Sequence, residues 1–298
     1  MLVVLVAITA SVYWFGARDN TSRVDKNIFR TADLKGVDKI VLGSSGDTIT
    51  LSYTGSRWKV NDRWNADRNM IEVLFATLKQ AEPKRPVSAS LTDSMTSALK
   101  QRGIKVTLFS KDVAIQEFLA GGNAEKTKAY FTKADDNQVF LMTIPGYRVY
   151  VSGIFELGES GWRDKYIFGF NWQNFQRLEA GYPQNASQNF VITMQDHYFG
   201  IPGLQQVDTT RLNDFLDAVS LLTADDFVKP TPRLDSLAKT NPIQALTVKD
   251  IGNREYSLKL YPFGDNQIAG LINQSEWAIF DPRKVRNILR PKDFFARH

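Results

Sequence analysis

The chain has 298 residues, 43% of them apolar, with a formal net charge of +5 and a pI near 9.2, so it has the length and apolar content for two domains of ordinary size or one large one and is not a disordered chain. Its 37 basic and 32 acidic residues are interleaved throughout, the pattern of a solvated mixed-charge surface, and no aromatic–basic recognition module accompanies them, so nucleic acid is not an expected partner. Cysteine is absent and there are only two histidines, His197 and His298, which removes thiol catalysis, disulfides and cysteine-based zinc or iron–sulfur sites, and no metal or cofactor is expected.

Residues 2–17, LVVLVAITASVYWFGA, carry no charge and end on a Tyr-Trp pair. As a helix this run is about 24 Å long, slightly short of a hydrocarbon core of roughly 30 Å, and the aromatic pair suits a membrane interface. It lacks a small-x-small cleavage boundary before the polar region, so residues 1–17 read as a retained transmembrane anchor contacting the bilayer, and 18–33 as a polar tether. The nearest basic residues, Arg18, Arg23, Lys26 and Arg30, lie downstream, and the positive-inside rule taken alone would put the body in the cytoplasm. The expectation is instead that basic residues precede Met1 in the natural product and that the body faces the periplasm. The lack of cysteine is compatible with that oxidising compartment.

A first module, 34–168, opens with strands at 37–42 and 48–53, joined by Gly43-Ser-Ser-Gly46, and a short strand at Trp58-Lys-Val60. A helix over about 67–80 follows, with Asp67 or Asn65 as its cap and Ile71, Leu74, Phe75 and Leu78 on one face. Pro83 and Pro86 mark a loop, a weaker helix spans about 91–102 before Gly103, and strands resume at 104–109, 115–119, 129–131 and 139–142. Gly121-Gly122 lacks the surrounding GxxxxGK[ST] of a phosphate loop and reads as a turn.

A second module, 169–298, repeats this order. Strands are expected at 175–179, 189–194 and 198–201, a helix over 209–222, a proline-bearing loop at 227–234, and strands at 245–249, 256–261, 268–272 and 277–280. Val60 and Ile201, Ile71 and Leu212, Leu74 and Phe215, Phe75 and Leu216, and Leu78 and Val219 are all 141 positions apart, and the same spacing relates Ile104 to Ala245 and Ile115 to Tyr256. A shared register of apolar positions is the mark of a duplicated supersecondary unit. The fold class is therefore α+β, two tandem modules, each an antiparallel sheet packed by one principal helix.

No catalytic constellation is legible. The carboxylate pairs Asp135-Asp136, Asp225-Asp226 and Glu156/Glu159 lie at loop or helix ends where acids are usually solvated, and His197 precedes two aromatics in an apparent edge strand. The protein is read as a non-enzyme. Trp64, beside Arg63, and Trp162, beside Arg163 and Asp164, are the best candidates for exposed contacts to a partner or a glycan; both rings on one open surface would favour binding, both buried would count against it.

The Phe29 and Val37-Asp-Lys-Ile-Val-Leu42 opening, the Trp58-Lys-Val60 edge followed by Asp67, and the Gly161-Trp-Arg-Asp-Lys165 segment after Phe155-Glu-Leu157 resemble a bacterial envelope family known as domain of unknown function 4340, over nearly everything after residue 28. The resemblance implies a membrane-anchored, periplasm-facing protein of Bacteroidota-like bacteria, related to domains found with auxiliary subunits of ABC-type transporters similar to those of gliding motility. In such bacteria a three-residue periplasmic O-glycosylation signal is used, and Thr48, Ser94, Thr209 and Ser236, each after an aspartate, match it, although Asp208-Thr209 reads first as a helix cap. The expected function is a non-enzymatic accessory subunit in the bacterial inner membrane, partnered by ABC-type permease or auxiliary subunits; the alternative is a periplasmic glycan- or peptidoglycan-binding module.

Overall fold

A computed structural model describes residues 24–31, 33–134, 136–195 and 198–297. The expected anchor at 2–17 lies outside these residues; among the described residues no helix is long and apolar enough to cross a membrane. The chain divides into two compact units, parting between Arg163 and Asp164, and each has its own antiparallel sheet.

In the first unit the strands are β1 (Lys39–Gly43), β2 (Thr48–Tyr53), β3 (Trp58–Val60), β4 (Trp64–Asn65), β5 (Glu82–Pro86), β6 (Ile104–Ser110), β7 (Val113–Gly122), β8 (Ala129–Thr132) and β9 (Val139–Thr143), in the order β4-β3-β2-β1-β6-β7-β8-β9-β5. Alternation drives them: Ile40 and Leu42 of β1 face the core, while Lys39 and Val41 face the other way. Helix α1 (Arg68–Gln80) lays Ile71, Leu74 and Leu78 on that inner face. Burying a leucine as completely as Leu74 contributes about 1.5–3 kcal/mol. The Asp67 side chain accepts from the N–H groups of Asn69 and Met70, which would otherwise be unpaired at the helix start.

The second unit holds β10 (Phe175–Gly181), β11 (Phe190–Gln195), β12 (Tyr198–Gly200), β13 (Asp226–Val228), β14 (Gln244–Asp250), β15 (Glu255–Phe263), β16 (Gln267–Ile272) and β17 (Glu276–Phe280), ordered β12-β11-β10-β14-β15-β16-β17-β13. Strand for strand this is the topology of the first unit without β4. Helix α4 (Thr209–Ser220; α2 and α3 are Ala89–Arg102 and Glu159–Trp162) buries Leu212, Phe215, Leu216 and Val219 and is capped by Asp208. The spacing of 141 thus holds from strand to cap to helix stripe. Past the helix it does not. Val106 pairs with Phe118 in the first unit and Leu246 with Leu258 in the second, so equivalent inward residues there are one position closer. The expected matches of Ile104 with Ala245 and Ile115 with Tyr256 are out of register, and a slip of one residue exchanges the two faces of a strand.

Three further expectations change. The expected proline loop around 83–86 forms β5, an edge strand paired with β9, where a proline is tolerated because the missing N–H faces outward, and the expected loop at 227–234 begins within β13, a three-residue edge strand paired with β17 that ends before Pro230. Each sheet is covered on its second face as well. Leu99 of α2 packs against Gly121, and α5 (Pro232–Leu237) sets Leu234 over Tyr261, Ala269 and Trp277, whereas the adjacent Leu260 belongs to the main core. One principal helix per sheet therefore understates the helical cover.

The module boundaries shift too. Phe29, assigned to the tether, is 1% exposed and meets Phe118, Phe131 and Phe140 edge-on at 5.7, 5.5 and 5.7 Å. At the junction, Ala66 bridges to Arg163, closing the first unit there, while Ile167 and Phe168, counted in the first module, sit in the second core. The second unit closes in the same way, with a bridge from Val207 to Ala296 and a ring cluster of Phe190, Phe215 and Phe295.

Candidate functional site

The structure brings Trp64, Trp162 and Arg163 together, but as a closure of the first unit. The Trp162 ring is fully buried in the core, and Arg163 is 6% exposed. The Arg163 guanidinium lies 3.7 Å from the centre of the half-buried Trp64 ring, and that of Arg63 lies 4.3 Å away. Asp164 begins the second unit, where its carboxylate accepts from the backbone N–H of Tyr166. Thr48, Ser94, Thr209 and Ser236 are all exposed, at the start of β2, within α2, at the first position of α4 and within α5.

The carboxylates noted as possible acid pairs are engaged in fold contacts. Glu156 accepts from the Tyr150 hydroxyl and pairs with Lys126 at 3.0 Å, Glu159 accepts from the Asn61 amide at 2.7 Å, and Asp225 accepts from the Asp281 backbone and from Lys284. Among the described residues no group of His, Asp and Glu could hold a metal ion. Asp135, His197 and His298 lie outside the described residues.

A different feature of the first unit was not read from the sequence. Val73 and Ala76 of α1 stand one step off the buried stripe and face a segment carrying Ile144, Tyr147, Val149, Ile154 and Leu157, and the space between is an apolar groove of about 520 Å³. Ile144-Pro-Gly-Tyr147 is a tight turn with Gly146 at φ 81° and the Tyr147 N–H donating to the Ile144 carbonyl; proline followed by a glycine at positive φ is what such a turn requires. The turn sets Tyr147 at the rim. Val73, Tyr147 and Val149 are 46%, 64% and 51% exposed, an unusual concentration of large apolar side chains in water.

Tyr147, Val149 and Tyr150 also line a neighbouring cleft of about 540 Å³, together with Lys84, Lys126, Lys128 and Arg148 and no carboxylate. Tyr150 stands at the shared wall. Burial pushes its phenol above the ordinary value, and the acceptor Glu156 reinforces the shift. Gly121 and Gly122 prove to be the last residues of β7 and not a turn; a Cβ on Gly122 would stand 2.2 Å from the Tyr150 hydroxyl, so glycine is needed for the ring to fit.

A comparison with curated proteins gives no match, and a comparison with solved structures gives none either. Residues 58–242 match a family described as a domain of unknown function (DUF4340). The match runs from β3 through the first unit's closure and the helix α4 of the second, and spans more than half of the chain. The chain therefore belongs to the DUF4340 family.

Proposed function

We propose that this protein is a non-enzymatic accessory subunit of an ABC-type transporter complex, of the kind associated with gliding motility, anchored in the inner membrane by residues 2–17 with its body in the periplasm. The observation that carries the reading is the short connection between the apolar run and the fold. Phe29 is already in the first core, so residues 18–28 span at most about 40 Å even when fully extended. A body held that close to the bilayer suits work beside membrane-embedded subunits. Four exposed Asp-preceded hydroxyls, Thr48, Ser94, Thr209 and Ser236, agree with a periplasmic address. The glycan-binding alternative needs an open aromatic platform, and Trp64 and Trp162 do not provide one: the second ring is buried and the first is engaged by two arginines.

Affinity purification from native membranes in a gentle detergent, with mass spectrometry of what is retained, tests the reading. Recovery of ABC-type permease subunits in stoichiometric amounts is the expected result. Recovery of the protein alone, or with glycan fragments attached, overturns it.

A further inference from the structure

We propose that the first unit binds a single anionic amphiphile, its acyl chain in the apolar groove between α1 and residues 144–157 and its headgroup on Lys84, Lys128 and Arg148 in the adjoining cleft. This site stands independently of any transporter partner.

Three observations specify the ligand. The groove, at about 520 Å³, is the size of a small-molecule site, for which about 300–1,000 Å³ is usual. Two of the hydroxyls in its wall are already satisfied: the Thr77 hydroxyl donates to the Val73 carbonyl at 2.8 Å, and the Tyr150 hydroxyl donates to Glu156. A peptide laid there would leave backbone N–H and C=O groups without partners, whereas an alkyl chain has none to satisfy. Finally, the groove is continuous with the basic cleft through Tyr147, Val149 and Tyr150. Lys126 is neutralised by Glu156, which leaves Lys84, Lys128 and Arg148, all exposed, to face one cleft without a lining carboxylate. A phosphate or carboxylate relieves their mutual repulsion, and the arginine can hold it bidentately.

The test uses the full chain in phosphatidylcholine nanodiscs, with lysophosphatidylglycerol bearing a diazirine at the end of its acyl chain, and a monoacylglycerol with the same photoreactive chain as the neutral probe. Labelled positions are mapped by peptide mass spectrometry. Labelling by the anionic probe is expected to concentrate in 73–80 and 144–157. Filling the groove with Ala76→Trp lowers it about tenfold or more, as does the triple variant Lys84→Glu, Lys128→Glu, Arg148→Glu, which leaves labelling by the neutral probe unchanged. Hydrogen exchange of α1 shows whether Ala76→Trp keeps the fold; Val73→Ser, at a half-exposed position, is the second variant and lowers labelling in the same direction. Equal labelling by both probes, insensitivity to the groove variants, or labelling of the exposed Leu221 and Ile251 as strong as that of the groove overturns the proposal.

Discussion

The backbone N–H of Asp67 donates to the carbonyl of Trp162 at 2.8 Å, so the residue that caps α1 is tied to the last turn of the first unit, next to its final residue Arg163. Asp208 repeats the arrangement with Phe295 at 2.9 Å. In each unit one aspartate caps the principal helix with its side chain and fastens the returning chain with its backbone. The duplication therefore extends beyond strand order to the way each unit is shut.

Asp67→Ala removes the side-chain cap and keeps the backbone bond to Trp162. The first unit should lose about 1 kcal/mol, the usual cost of an aspartate N-cap, and Asp208→Ala should cost the second unit a similar amount. Hydrogen exchange resolved by peptide checks this: faster exchange in the first turn of α1 for one variant and of α4 for the other.

Phe295→Ala removes a fully buried ring from the cluster with Phe190 and Phe215, at 5.0 and 5.2 Å between centres. A buried phenylalanine cut to alanine costs about 3–5 kcal/mol. Limited proteolysis should show accelerated cleavage within 164–297, at sites protected in the parent.

Gly122→Ala should destabilise the first unit by about 1–3 kcal/mol, because the new methyl overlaps the Tyr150 ring. Combined with Tyr150→Leu, which removes the obstructing hydroxyl and ring, the substitution should cost much less than the two separate losses added together. A double-mutant cycle by chemical denaturation measures that coupling; strict additivity would contradict the contact.

Asp250 gives a pH dependence whose sign is fixed. Burial disfavours its charged form, but bonds from the Arg254 backbone and guanidinium, at 2.9 and 2.7 Å, and from the Gly252 backbone outweigh that and hold the carboxyl below its ordinary 3.8. A depressed folded value means the stabilisation is complete above the unfolded value and disappears as the pH falls through the folded one. The difference in melting temperature between the parent and Asp250→Asn should accordingly be largest near neutral pH and shrink below about pH 4.

What could be read from the sequence was local. The stripe of Ile71, Leu74 and Leu78, the cap at Asp67 and the alternation of most strands are set by neighbours within a few residues, and their recurrence at a fixed spacing exposed the duplication. The edge strand β5 was hidden because proline is a loop signal whose meaning changes at a sheet edge, and β13 because it has only three residues and precedes Pro230 and Pro232. Trp162 looked exposed beside Arg163 and Asp164, yet its ring lies in a core built from residues far away in the sequence, to which its backbone is tied through Asp67. The groove joins α1 to a segment about seventy positions later, which no periodicity reports. The available hints were Val73 and Ala76 standing off the buried stripe, and the Ile144-Pro-Gly-Tyr147 turn lifting an aromatic to the surface.

The proposed role requires the folded body to lie on the periplasmic side of the membrane, and the absence of cysteine makes that directly measurable. Ser45→Cys places a lone thiol in the exposed turn before β2. In intact cells an inner-membrane-impermeant maleimide should label it to the same extent as after permeabilisation, as a periplasmic body requires. Labelling only after permeabilisation would put the body in the cytoplasm, where Arg18, Arg23, Lys26 and Arg30 would obey the positive-inside rule, and would contradict the proposed role.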